Sequence, residues 1–433
     1  MIKFLHRGRT QLSVFLLLGA ALSAAAVRAG EWPSFRGPDR SAVSKETGLL
    51  KEWPADGPPL VWETKGAGRG YASLAIDATR IYTLGDAPST ASDDEEYLIC
   101  FNRADGKPLW KTKTGRPLKM PQESWGSSRS TPTVDGELVY VISPHADLIC
   151  CESKTGKERW RKNLRGDFDA KKPNKDKWGY SESVLIDGDR LVCTPGGEQA
   201  TMVALDKVTG GLKWKAVHEG NRGAGHSSIV ISEIGGTKVY VQLTGSGPIG
   251  VRAGDGQVLW SYPIEDATAV IPTPVVRGDL VFFTAAYRCG GALLRQVPGE
   301  NGAVAIEEVY PLNLEMQNKH GGVVLVGDYL YGDFDDKGTP WCAELLSGEM
   351  KWKKRSGGKN SASVVAADGM LYFHFADGTM VLAKADPQAY VEVSKFKVPG
   401  SGERPSWSHP VILDGRLYIR EQDHLSCFDI RAK

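Results

Sequence analysis

The chain has 433 residues, with 53 Lys and Arg set against 52 Asp and Glu. That length allows one large repeat domain or two ordinary ones, and the charge balance excludes nucleic acid and anionic membrane surfaces as expected partners. Seven cysteines without a Cys-x-x-Cys spacing argue against a zinc site.

Residues 1–29 read as a secretory signal peptide. Lys3, Arg7 and Arg9 precede an apolar run from Ser13 to Ala26, and Val27-Arg28-Ala29 offers small residues at the spacing for cleavage after Ala29. A membrane anchor needs roughly 18 or more apolar residues; this run is shorter, and Gly19 and Ser23 interrupt it. Cleavage removes Lys3, Arg7, Arg9 and Arg28 and no acid, which leaves a slightly acidic mature chain. With no second apolar span after residue 30, that chain is expected in the periplasm or outside the cell, without a transmembrane anchor.

Residues 30–59 form an arm rich in Pro and Gly, including Trp32-Pro33-Ser34-Phe35-Arg36-Gly37-Pro38 and Trp53-Pro54, which forbids a long helix or strand. Its aromatic rings are too apolar for a free tail, so it is expected to lie against the outside or one face of the domain that follows.

Residues 60–433 carry an internal repeat. Gly106 is followed four residues on by Trp110, Gly156 by Trp160, Gly210 by Trp214, Gly256 by Trp260 and Gly348 by Trp352. Between these lie β-branched runs bounded by turns such as Asp135-Gly136, Asp187-Gly188, Asp368-Gly369 and Asp414-Gly415, the pattern of β-hairpins. Each unit holds four short strands and recurs about every 40–54 residues, the period of a propeller blade. Eight copies are present. Those ending near Tyr310 and Val391 lack the Gly-Trp pair but still read as strands. The last unit stops at Asp429 without a Trp strand, while Leu60-Val61-Trp62-Glu63-Thr64 is a Trp strand without a unit. The predicted fold is therefore all-β: an eight-bladed β-propeller whose N-terminal strand closes the last blade and removes an open edge.

The repeated Trp residues are expected to fill the wedges between blades, and the Gly residues to supply turns with positive φ. Cys100, Cys150 and Cys342 each lie six residues before the turn Gly, where Ala204 and Gly250 stand in other copies, and Cys427 fits the same column. Cysteine there stands in for a small buried residue.

The strand Leu-x-Ala/Cys-apolar followed by Thr/Asp-Gly-x-x-x-Trp resembles the pyrroloquinoline-quinone (PQQ) type propeller repeat, over residues 60–430. The arm resembles that of exported bacterial PQQ-like propellers. The resemblance implies one of two kinds of protein. Quinoprotein alcohol dehydrogenases hold PQQ and Ca²⁺ on the propeller axis; outer-membrane-assembly lipoproteins of the same fold hold no cofactor and act as scaffolds. The dehydrogenases also carry a disulfide between adjacent cysteines. Here Cys150-Cys151 falls in a regular strand, where side chains alternate faces, and reads as structural.

Aligning the copies places Tyr71, Arg129, Tyr180, Glu182, His226, Lys319, His320, Asn360, Trp407 and His409 at the starts of the inner strands, with Trp125, Trp178 and Arg404 in the loops before them. Ca²⁺ needs six to eight oxygen ligands, and this rim offers only Glu182 and Asn360 as metal candidates. If catalysis exists, Glu182, Arg129 and Lys319 are the candidates for it, and Asn360, Trp407, Tyr180 and His409 for cofactor contact. The three rim histidines are spread around the ring. The reading that follows is a cofactor-free, monomeric binding or scaffold protein that meets a protein or polysaccharide through loops 112–128, 165–181 and 394–408. The alternative is a PQQ- and Ca²⁺-dependent alcohol dehydrogenase. A third reading is a carbohydrate-binding propeller using Trp125, Trp178 and Trp407.

Overall fold

The computed structural model describes Met1 and residues 30–172, 177–265 and 268–432. The rest of the predicted signal peptide, and its cleavage point, lie outside the described residues. Among the described residues the strands form eight sheets, one per predicted unit, each a meander of consecutive neighbours. Blades 1 to 7 span residues 75–115, 133–163, 185–216, 230–261, 275–313, 324–353 and 362–397. Blade 8 combines Val411–Leu413, Arg416–Glu421 and His424–Asp429 with the N-terminal strand Leu60–Lys65, which pairs antiparallel to His424–Asp429. The ring closes as predicted. The copies without a Gly-Trp pair are strands as well, Val304–Asn313 and Glu392–Lys397. No described helix is long and apolar enough to cross a membrane.

The repeat has a direct packing explanation. In the outer strand of a blade the residue before the Trp is bulged, and the indole pairs across with the small column: Trp110 with Cys100, Trp160 with Cys150, Trp214 with Ala204, Trp260 with Gly250, Trp352 with Cys342 and Trp62 with Cys427. Four of these indoles also lie on the turn glycine of the next blade. A Cβ on Gly106 would meet Trp62, one on Gly156 would meet Trp110, and Gly210 and Gly256 face Trp160 and Trp214 in the same way. Three of them donate Nε1–H to a carbonyl three residues before that glycine, on Ser153, Lys207 and Ala253. Each Gly-Trp pair thus belongs to two contacts, the glycine receiving the preceding blade and the tryptophan reaching the next. Gly156 has φ +72°, and an added Cβ would sit 2.4 Å from Trp110 and 2.6 Å from Thr112 Oγ1. Gly156→Ala is expected to cost about 2–3 kcal/mol, from backbone strain together with overpacking. Equilibrium unfolding in urea measures it, and a loss below about 0.5 kcal/mol would remove the packing role.

Two irregular copies are repaired by other rings. Tyr310 takes the Trp place against Gly348. In blade 7 the position is Ser394, opposite Leu382, and its hydroxyl accepts a hydrogen bond from the backbone N–H of Trp53. The Trp53 ring packs on Tyr372 and Phe396 at 5.7 and 5.3 Å, supplying from the arm the indole that blade 7 lacks.

The arm departs from expectation. Its first part does not stay outside the ring but enters the central channel as a loop, and only the later part, around Trp53, lies against the outer strand of blade 7. Trp32 bridges Ile76 of blade 1, Pro33 accepts from Val134 of blade 2, and Val43–Ser44 pairs parallel to Ala362–Ala367 of blade 7. Two buried cations pin it. Arg36 donates to Val323 O ahead of blade 6, and Arg40 donates to Ser183 O and Val184 O ahead of blade 3 and to Ile229 O ahead of blade 4. Glu46 caps the turn at Asp414 and Gly415 where the arm leaves the channel. A channel lined by the ends of inner strands presents unpaired carbonyls, and two guanidinium groups satisfy them where apolar residues could not.

All seven cysteines are buried and free. Cys150 packs with Tyr140, Leu148 and Cys193, whereas Cys151 packs with Leu98, Cys100 and Val139 on the other side of the blade. Opposite faces exclude a vicinal disulfide without breaking the ladder. Burial pushes both thiols up to about 12. The native protein is therefore expected to react negligibly with a bulky thiol reagent, and the unreduced, denatured protein to yield seven thiols. A smaller number after denaturation would reveal a disulfide.

Candidate functional site

At the end of the channel where the inner strands begin, a cavity of about 480 Å³ opens to solvent. It lies on the axis because seven of the eight blades, all but blade 7, contribute residues just before their inner strands. Tyr71 comes from blade 1, Trp125, Arg129 and Thr131 from blade 2, and Trp178, Ser181 and Ser183 from blade 3. His226 comes from blade 4, Thr268, Ala269 and Ile271 from blade 5, Lys319 and His320 from blade 6, and Trp407 and His409 from blade 8. Phe35 of the arm reaches the same cavity and meets His409 edge-on at 4.8 Å.

The chemistry of the wall is one-sided: among the described residues it holds Arg129, Lys319, six aromatic rings and three histidines, and no carboxylate. The Arg129 guanidinium lies over Tyr71, Trp407 and Trp178 at 5.0, 5.7 and 5.9 Å and donates to the carbonyl of Trp125. Among the described residues it has no carboxylate partner. Burial lowers its pKa to about 10, which leaves it charged at neutral pH. Lys319 sits 5.4 Å from the Trp407 ring and is paired with Asp336 at 2.7 Å.

The histidines are neutral. Burial holds His409 down to about 3, with Arg36 adding to the effect, and holds His226 and His320 well below their ordinary value, with Lys172, Lys319 and Arg129 contributing. His226 Nδ1 pairs with Ser181 Oγ at 2.5 Å, His320 Nε2 with Ser361 Oγ at 2.8 Å, and His409 Nε2 with His320 O at 3.2 Å. They are hydrogen-bonding groups rather than a metal cluster. Among the described residues no group of three or more His, Cys, Asp or Glu could hold a metal ion.

Of the residues predicted at the rim, Tyr71, Arg129, His226, Lys319, His320, Trp407 and His409 line the cavity, together with the loop residues Trp125 and Trp178. Tyr180, Glu182, Asn360 and Arg404 do not. Tyr180 turns inward and donates to Pro195 O at 2.7 Å. Arg404 donates to Ser127 Oγ at 3.3 Å. Asn360 is exposed in a left-handed turn, with φ 62°. Glu182 is 2% exposed; its carboxyl accepts from the Thr194 N–H at 2.8 Å, the Thr194 hydroxyl at 3.0 Å and Gln242 Nε2 at 3.2 Å. The expectation that Glu182 and Asn360 stand at the rim is corrected: the register fixes the height of each residue but not the side to which it turns. Phe35 and Tyr287 were missed. Tyr287 belongs to a hairpin between two strands of blade 5, outside the register used to find the rim.

The residues present do not fit Ca²⁺, which requires several converging oxygens. Glu182 is spent on internal hydrogen bonds, and burial raises its pKa to about 7. Glu96 shows the same environment more strongly: fully buried, held by Thr114 and Ser128 hydroxyls, its pKa is raised to about 8 by burial. A carboxyl raised in the folded state contributes its full stability below its ordinary value near 4.5 and loses it as pH climbs through 8. Stability is expected to fall across that window, and Glu96→Gln to flatten the fall. A profile of melting temperature against pH, unchanged by the substitution, would show that Glu96 is ionised when folded.

The sequence profile of the family described as "Outer membrane protein assembly factor BamB" matches residues 94–354. No curated protein sequence matches the chain. Among solved structures, BamB from Moraxella catarrhalis aligns with a TM-score of 0.54 and 14% identity, over 86% of this chain and 98% of that one. A europium-containing methanol dehydrogenase aligns at 0.63 and 12%, over 90% and 89%. Quinohemoprotein alcohol dehydrogenase from Comamonas testosteroni aligns at 0.62 and 12%, over 95% and 82%. At such identities these structures share the fold alone. The match over residues 94–354 is what assigns the family: the chain belongs to the PQQ-like propellers described as outer membrane protein assembly factor BamB.

Proposed function

We propose that this chain is an exported binding protein that takes a small organic anion in its axial pocket, without a metal–quinone centre. The observation that carries the reading is the pocket wall, which among the described residues sets an arginine without a carboxylate partner among six aromatic rings and offers no carboxylate. A concave, aromatic-lined site with a few convergent polar groups is the usual form of a small-molecule site. An unneutralised cation inside it favours a negatively charged guest. The PQQ- and Ca²⁺-dependent alcohol dehydrogenase is disfavoured because, among the described residues, the wall offers no carboxylate to ligate Ca²⁺ or to act as its general base.

The family description supports a scaffold role beside ligand binding, in which loops 112–128, 165–181 and 394–408 around the pocket mouth meet a protein or polysaccharide. The chain is proposed to act as a monomer in the periplasm or outside the cell, after cleavage behind Ala29. Thermal shift against a panel of mono- and polycarboxylates and their neutral amides tests the pocket reading. Carboxylates should raise the melting temperature of the wild type, amides should not, and Arg129→Gln should abolish the shift. Equal shifts from acid and amide would refute it.

A further inference from the structure

The shape and lining of the same pocket narrow the guest further, an inference that rests on the small-anion reading above. We propose that the pocket binds an acidic sugar, a pyranose bearing a carboxylate, rather than a flat aromatic acid. A flat guest held between two rings needs parallel faces roughly 7 Å apart, twice a carbon–carbon contact distance. Two ring pairs of the wall are too close and too tilted for that: Trp125 and Trp178 are 5.3 Å apart at 41°, and Tyr71 and Trp407 are 4.6 Å apart at 40°. Each pair offers tilted platforms, as in a bowl, and neither is a slot.

A bowl of this kind suits a puckered ring. The C–H faces of a pyranose carry slight positive charge and lie against the negative face of an indole. Its hydroxyls need neutral donors and acceptors, which the neutral imidazole of His226 and the hydroxyls of Thr131 and Ser183 provide at the wall. The carboxylate needs a planar cationic partner, and Arg129 is the cation at the wall that lacks a carboxylate partner among the described residues. Sugar sites that take neutral rings commonly set carboxylates against the hydroxyls; the described residues of this wall include none, which leaves an acid unopposed by them and gives a neutral sugar less to hold.

The test uses the mature chain and four probes: digalacturonate, its neutral counterpart galactobiose, galactose 6-sulfate and benzene-1,3,5-tricarboxylate. Binding is followed by intrinsic Trp fluorescence, since Trp125, Trp178 and Trp407 line the cavity, and by calorimetry. Digalacturonate is expected to bind at least tenfold tighter than galactobiose and than the benzene tricarboxylate. The sulfate ester should be weaker than the uronate if the planar carboxylate is what Arg129 reads. Arg129→Gln should cost at least tenfold for the uronate and little for the neutral sugar, and Trp407→Phe should weaken every sugar with the melting temperature retained. Equal binding of galactobiose and digalacturonate overturns the proposal. If only the benzene tricarboxylate binds, the sugar is wrong and the small-anion reading stands. If no anion binds the wild type, both fall.

Discussion

Replacing Arg420 by methionine is expected to lower stability by about 3–5 kcal/mol, the range for removing one partner of a buried charged network. Arg420 lies in the second strand of blade 8 and is 1% exposed. Its guanidinium donates across the ring closure to blade 1 and the loop before it: to Ala72 O, Leu84 O and Thr83 Oγ1 through one nitrogen and to Ala67 O and Gly68 O through the other. Nε donates to Gln422 O. Methionine fills similar space and donates nothing, so several buried carbonyls lose their partner, each at a cost of about 1–3 kcal/mol before relaxation. Burial lowers the Arg420 pKa to about 10, so it is charged at neutral pH. The loss should therefore be nearly constant between pH 5 and 8. Denaturant unfolding at several pH values measures it; a loss under 1 kcal/mol would mean that water replaces the guanidinium and that the strand pairing of Leu60–Lys65 holds the closure alone.

Arg40→Met is expected to cost a similar amount and, unlike Arg420→Met, to free one segment. Arg40 holds carbonyls ahead of blades 3 and 4 from inside the channel, and with Lys172 it favours ionised Glu182. Without it, the Ser183 and Ile229 carbonyls are orphaned, Val184 O keeps only the Thr133 hydroxyl, and Glu182 loses a stabilising charge, so the carboxyl should titrate higher still. The arm then keeps Arg36, the Val43–Ser44 pairing and the Trp53 contact with blade 7. Limited proteolysis should cut within residues 30–59 at least tenfold faster in the variant, while the blades resist. The pocket should change too, because Phe35 leaves its wall when the arm loosens. Cleavage at the wild-type rate would show that the cations satisfy carbonyls without anchoring the arm.

These two side chains mark where the sequence could be read and where it could not. The ring was legible because each Gly-Trp pair reports a local device repeated in every blade, with the small column opposite the indole as a second, independent sign. The closure was legible because a lone Trp strand at one end and a missing one at the other complete each other. The arm was not. Its partners lie far along the chain: Arg40 reaches Ile229 over 189 positions and Arg36 reaches Val323 over 287. Those partners are backbone carbonyls, which have no sequence signature. Trp53 standing in for the indole of blade 7 was hidden for the same reason, although the loss of Trp from that copy was visible.

The pocket was half legible. Register placed seven wall residues correctly in height, and the loops before the inner strands gave Trp125 and Trp178, because the inner strands of seven blades begin at the same mouth. It failed for Glu182, whose neighbour Thr194 offers both an N–H and a hydroxyl and draws the carboxyl into the blade. That rotation removes from the wall the one carboxylate among the predicted metal candidates.

The most direct measurement is a titration of the mature chain with PQQ, in Ca²⁺ and again in a chelator, with dye-linked alcohol oxidation read in the same samples. A wall whose described residues include no carboxylate predicts binding of the quinone tricarboxylate that is weak and equal in the two conditions, with no alcohol-dependent dye reduction. Tighter binding in Ca²⁺ together with alcohol-dependent dye reduction would contradict it, and would mean that the metal finds ligands which the wall does not present.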